Sequence, residues 1–511
     1  MAFDARRLRV GFALAALMVL LVVAGFYARV RLASREVAAR LPQGLGVDVQ
    51  QSTEGFTLSK SEGGRTLFTV RASRAVQFKS GGRAQLQEVQ IVVRGRRSDR
   101  FDQIYGSDFE YDPATGDVTA HGEVHIDLET DEEGPRRPDQ TVPRELKNPV
   151  YLKTSGLVFN QKTGIAKTRE PIEFRIPQAS GSAVGARYDS AASVLDLESS
   201  IAVRLTHPAG VAITAERAAL HKDPRRAELF GVRLEQDANR LRADQLTVFL
   251  REDNSVERIL AEGNVTASAG GPRQTVLVTP RAEILFEPRG ELRSAVLSQG
   301  VRLDAAGPRP MHAESGELVL QFAAENRLEK VRALKEVRLS QRPPRGAGRA
   351  QGVELTAHEV EFLLREGKAL ERAITTGPAQ VTLTPPESTP TAPTTRVTAA
   401  HLEASFGPRN RLQSLRGPDA EIAATSPGVP DRVSQSHALE VRFAASGPAA
   451  IASIRQHGDV QYSEGQRSAR AEDALYDPAS GELVLTGAPR FAEGALLTTA
   501  HTLRLNRLTS E

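Results

Sequence analysis

Two histidines four apart, in His121-Gly122-Glu123-Val124-His125, are the residues best typed and spaced for a metal. On a strand that spacing sets them ~13 Å apart, too far for one ion, so a solvated strand face is the simpler reading. Asp112 and Asp477 each precede Pro in matching Tyr-Asp-Pro-Ala-x-Gly runs. They would pair as catalytic carboxylates only if the long stretch between them folded back, whereas a turn-capping role needs no such coincidence. His358, His401, His437 and His501 recur, each after Ala or Ser. A pH-responsive ladder and a row of phosphate contacts are the functional readings, and a tolerated edge position is the plain one. The clusters Arg94, Arg96, Arg97 and Arg345, Arg349 suit lipid phosphates and solvated loops equally well. The absence of Cys removes thiolate nucleophiles, disulfides and Cys-zinc sites. No G-x-S-x-G, G-x-x-x-x-G-K-[ST] or H-E-x-x-H occurs, and no G-x-G-x-x-G opens a helix. With no Trp and 7 Tyr, stacked aromatics of a carbohydrate-active enzyme are not expected either. The expectation is a protein that is not an enzyme and carries no cofactor and no metal.

The chemistry that remains is apolar burial. In Ser107–Leu128, Val118, Ala120, Gly122, Val124, Ile126 and Leu128 alternate with Asp117, Thr119, His121, Glu123, His125 and Asp127, the pattern of a half-buried strand. Ile259, Ala261 and Val265, and Leu483 and Leu485, hold the same inward positions in other copies. Two stacked sheets of such strands enclose an apolar interior about 10 Å wide. Small inward residues such as Ala120 and Ala261 leave room there. A trough of this kind suits acyl chains, each buried methylene adding ~0.8 kcal/mol without directional contacts. A plain structural solenoid with a packed interior has the same alternation, so the pattern leaves both readings open.

These residues are positioned by a repeat with a period of about 36 residues. Its clearest copies are Ser107–Leu128 and Ala471–Phe491, with further copies beginning near Gly156, Ala186, Ala215, Ala243, Ala282, Ala313, Ala357, Ala400, Ser436 and Ala500. Each unit reads as a β-hairpin: Asp-Pro-x-x-Gly or Asn-x-x-x-Gly supplies the turn between two runs of period-two alternation. About 11 such hairpins, one strand of each in each sheet, would make an array roughly 50 Å long. Polar or Pro-rich stretches at Asp131–Pro149, Gln341–Gly352, Thr384–Thr395 and Thr425–Ser434 read as long edge loops. The expected fold is all-β, an elongated twisted two-sheet β-jellyroll or solenoid of antiparallel hairpins, preceded by one transmembrane helix.

That helix is expected at Val10–Ala28, a run without charge that includes Leu14, Leu17, Leu20, Leu21, Val22 and Phe26. At ~1.5 Å per residue it spans roughly 28 Å, close to a bilayer core. Arg6, Arg7 and Arg9 assign residues 1–9 to the cytoplasm and everything past Ala28 to the far side. Residues 29–41 read as a juxtamembrane continuation of the helix. A net charge of +3 demands no nucleic-acid partner.

The repeat Ala-x-x-x-x-Tyr-Asp-x-x-x-Gly-x-(Val/Leu)-x-(Ala/Leu)-x-Gly-x-Val-x-(Ile/Leu) resembles the OstA-type β-jellyroll units of the lipopolysaccharide-transport families LptA and LptC. The order of parts is similar to that of LptC: an N-terminal anchor, then Phe56–Ala72, Leu86–Val93, the Tyr111 copy, and Leu152–Phe159 ahead of Thr168–Phe174. Residues 42–205 correspond to the LptC-like part, and residues 206–511 look like further LptA-like hairpins, a longer chain than LptC proteins have. The resemblance implies a single-pass inner-membrane protein with its bulk in the periplasm. It also implies docking on an inner-membrane lipopolysaccharide-export ABC transporter, a groove for lipid A acyl chains, and an LptA-like bridge protein joined by strand-end docking. An anchored β-solenoid scaffold without lipid transport is the alternative.

Overall fold

The computed structural model describes residues 49–506 apart from 63–64, 79–81, 95–100, 131–149, 177–178, 207–209, 254, 272–273, 308–309, 343–351, 386–392 and 445–450. The expected tail, anchor and juxtamembrane helix at 1–41 lie outside the described residues. Among the described residues no helix is long and apolar enough to cross a membrane.

Period-two alternation forms the strands, and local turn chemistry joins them. In the first clear copy Asp112 Oδ1 accepts the Ala114 amide at 2.9 Å and the Gly116 amide closes on the Asp112 carbonyl at 2.7 Å. Gly116 turns the chain at φ +81° between strands Phe101–Asp112 and Asp117–Ala120. Asp477 repeats the device, accepting from Ala479 N at 2.8 Å. Both aspartates are turn caps.

Among the described residues 32 strands join in one antiparallel sheet. The sheet is folded over on itself, as the aromatic contacts require. Phe56, Ala72, Val89 and Gly106 are register partners on successive strands, and Tyr111 lies further along the fourth. In a flat sheet the Phe56 and Tyr111 rings would stand roughly 22 Å apart, at ~4.8 Å per strand and ~3.3 Å per residue. Their centroids are 6.3 Å apart. Phe68 and Phe159, on strands four pairings apart in the ladder, meet edge to face at 5.2 Å.

The fold line is a series of β-bulges. Register shifts fall in mid-strand between Glu262 and Val265, Ser298 and Val301, and Leu334 and Val337. Left-handed residues at those points, Gly263 and Asn264, Gln299 and Gly300, Lys335 and Glu336, re-aim the strand. This differs from the expectation of two stacked sheets with one strand of each hairpin in each. A bulge redirects a strand without ending it, so each long strand runs through both walls of a single sheet. The stretch Thr425–Ser434 also differs from the expected loop. Gly428, at φ +74°, makes a tight turn, and the chain re-enters the sheet as Val429–Phe443. The ladder passes residue 205 without a gap, Ile201 to Arg204 pairing with 212–215.

Candidate functional site: an open apolar trough

The two walls meet at different closeness along the array. From Phe68 to Ala166 they form a closed box, in which Val70, Leu86, Val89, Ile91 and Val124 have no solvent exposure. Beyond a second buried cluster from Leu152 to Val265, the inward residues become less deeply buried. Strand Met311–Ala323 is hydrogen-bonded on both sides and carries Leu318, Val319, Leu320 and Phe322, yet contains no buried residue.

The open stretch is buried deepest along the bulge line and half-buried on either side of it. Its floor is the bulge line, where Val265, Val301, Val337 and Val360 are buried. One wall is the register row Ile259, Ile284, Ala295, Leu320, Val331 and Phe362, all half-buried. The other is Leu277, Leu303, Ala313, Leu339, Leu355 and Val381, half-buried too. Leu318, Leu355 and Phe362 pack on one cluster of buried floor residues, which joins the walls at the base. Every inward position described on the strands from Val256 to Thr384 is uncharged. Charge is confined to the outer face, in cross-strand pairs such as Arg258–Glu283 at 3.1 Å and Lys335–Glu317 at 2.7 Å.

The two lips differ. On one, a bulge beside each hairpin turn aligns bulky pairs: Phe286 with Leu292, Phe322 with Leu328, Leu364 with Leu370, Phe406 with Leu412 and Phe443 with Ile451. Each leading residue continues the inward alternation of its strand, as Phe322 follows Leu320. Asn326 and Asn410 tie neighbouring turns of this lip, accepting the Leu292 and Leu370 amides at 2.6 and 2.7 Å. The facing lip carries smaller or more polar pairs: Thr275 with Ala305, Ala305 with Met311, Gln341 with Val353, and Leu383 with Thr395.

The expected groove residues divide between these settings. Ile259 is a half-exposed wall residue, and Ala261 and Val265 are buried at its foot. Val118, Ala120 and Val124 are sealed in the closed box, and Ile126 is half-buried at its edge. Leu128 is in register with Val150. Leu483 and Leu485 are buried in a separate cluster near the C-terminal end. Sequence alternation finds inward residues but does not say how far apart the walls stand.

The outer face holds the histidines. His121 lies 3.5 Å from Glu110 and His125 lies 3.0 Å from Glu123. His125 also stacks on Tyr105 at 5.3 Å. Burial, and then the charge of Asp127, push the Tyr105 hydroxyl up to about 12. Among the described residues no group of three or more His, Cys, Asp or Glu is placed to hold a metal ion. His437 faces Asp419 at 3.3 Å, while His358, His401 and His501 are exposed at separate places.

Sequence reading missed a polar bridge across the interior. Asp102, on strand Phe101–Asp112, receives the Lys222 ammonium on both oxygens at 2.8 Å and the Tyr188 hydroxyl at 2.7 Å. Its partners lie 86 and 120 positions away, and no local motif marks such a contact. No family model matches the chain, and no curated protein matches it.

Proposed function

We propose that the protein is an anchored envelope component that carries lipid acyl chains in the open trough. In this reading residues 10–28 hold it in the inner membrane with the array in the periplasm. It takes lipopolysaccharide from an inner-membrane export ABC transporter and passes it toward the outer membrane. An LptA-like bridge protein docks strand to strand on the end of the array. One observation carries the reading: a central strand paired on both sides, rich in Leu, Val and Phe, without a buried residue. A sheet with no occupant gains by closing over such a surface, at ~25 cal/mol per Å² of apolar area removed from water. A wall row of Leu, Ile, Val and Phe instead offers a chain ~0.8 kcal/mol for each methylene it covers, with no directional contact to impede sliding.

The closed box from Phe68 to Ala166 favours the scaffold reading for that part of the array, since a packed interior admits no chain. A photo-crosslinking residue at Phe322, with Gln321 on the outer side of the same strand as control, separates the readings in cells making their native envelope lipid. A lipid adduct at Phe322 and none at Gln321 is the expected result. Membrane-bound protein without an adduct at Phe322, Leu320 or Phe286 leaves only the scaffold.

A further inference from the structure

The Asp102 bridge stands where the closed box gives way to the next part of the array. The box cluster runs from Phe68 to Ala166 with Tyr188 packed against it; the next cluster begins at Leu152, and Ile126 packs against both. Asp102 is in register with Val93, itself opposite Phe68, and both of these are buried, so it occupies an inward position. Tyr188 and Lys222 come from the ends of strands Ala179–Asp189 and Arg217–Lys222, which belong to the facing wall. The bridge therefore spans the interior from wall to wall. Among the described residues Asp102, 4 % exposed, is the one charged residue that is buried. The Lys222 ammonium also lies over the Tyr188 ring, 5.8 Å from its centroid.

Cohesion alone does not call for such a bridge. A well-packed apolar trio holds two walls at least as well as a buried ion pair, because both charges must leave water. A polar bridge differs in its failure: each group regains water on release, so separation is reversible and local, whereas peeled apolar walls expose surface with no compensation. Placed at this boundary, the bridge decides whether the box interior is closed off from the part of the array that follows it.

We propose that Asp102, Lys222 and Tyr188 form a latch that holds the N-terminal box shut, and that its release opens the box interior to solvent and to the acyl chains assigned to the trough. The identity of the occupant rests on the proposed function; the opening itself does not. The chain has no cysteine, so a single Cys placed at Val124, inside the box, reports opening through its reaction with a maleimide on the full-length protein in detergent. The original latch should protect that thiol. Asp102→Asn and Lys222→Met should each speed its reaction by on the order of a hundred-fold, the effect expected when one partner of a buried pair is lost. The exchanged pair, Asp102→Lys with Lys222→Asp, should restore protection. Unchanged protection in folded single variants overturns the proposal. So does loss of the strand signal in circular dichroism, which would make the bridge a requirement of the fold and not a latch. Neither outcome touches the lipid adduct at Phe322, so failure of the latch and failure of the transport reading remain distinguishable.

Discussion

At the residue scale, the polar side chains divide by how local their partners are. Asp112 and Asp477 were legible as turn caps because the amides that donate to them are two residues away. Asp102 was not legible, because its meaning depends on a fold that brings Lys222 to it. The outer histidines lie between these cases: period two puts them on the outer face, but only the register assigns their carboxylates. His312 is the clearest, with Nδ1 at 2.6 Å from Asp304 and Nε2 at 3.3 Å from Glu314. Its hydrogen bond to Asp304, supported by Glu314, holds the imidazole above the ordinary histidine range. The sign follows: the pair stabilises the fold in full below the ordinary histidine pKa, and that contribution is lost as pH rises through the raised value. An NMR titration should show His312 titrating above an ordinary histidine, and Asp304→Asn should bring it down.

At the element scale, the alternating strands and their turns were readable because both depend on near neighbours. Where the strands bend was not. A glycine between two alternating runs reads as a boundary between strands, yet Gly263 lies inside strand Val256–Ala269. The bend also has no fixed residue type, since Gln299, Lys335 and Asp419 adopt the same left-handed backbone elsewhere. What the bulge needs is a conformation, and position in the repeat decides which residue adopts it. Gly263 has φ +73°, and an added Cβ would lie 2.5 Å from the Asp244 carboxylate. Gly263→Val should therefore cost on the order of 2–3 kcal/mol, combining backbone strain with overpacking. At Gly300, with φ +101° and open space around the added atom, Gly300→Ala should cost only about 1 kcal/mol. Denaturant midpoints of the two variants, at equal slope, check the order.

At the scale of the whole molecule, the sequence indicates an all-β repeat array but not that it is one sheet, nor that its interior is shut at one end and open in the middle. Those properties depend on how deeply each inward residue is covered by strands remote from it in the sequence, which no local motif records. Every bend lies at a corresponding register position, with one further consequence. Ala269 pairs with Thr275 and Val265 with Thr279; Ala305 pairs with Met311 and Val301 with Ser315. Excising 275–310 would therefore bring Ala269 opposite Met311 and Val265 opposite Ser315, with strand direction and bend line preserved. The shortened protein should fold and be about 10 Å shorter, two strand spacings, in its maximum dimension by small-angle scattering. Failure to fold would show that the walls are coupled beyond their neighbours. The array is in this sense a ruler graduated in hairpins: whole-unit gain or loss sets its reach without disturbing the pairing on either side.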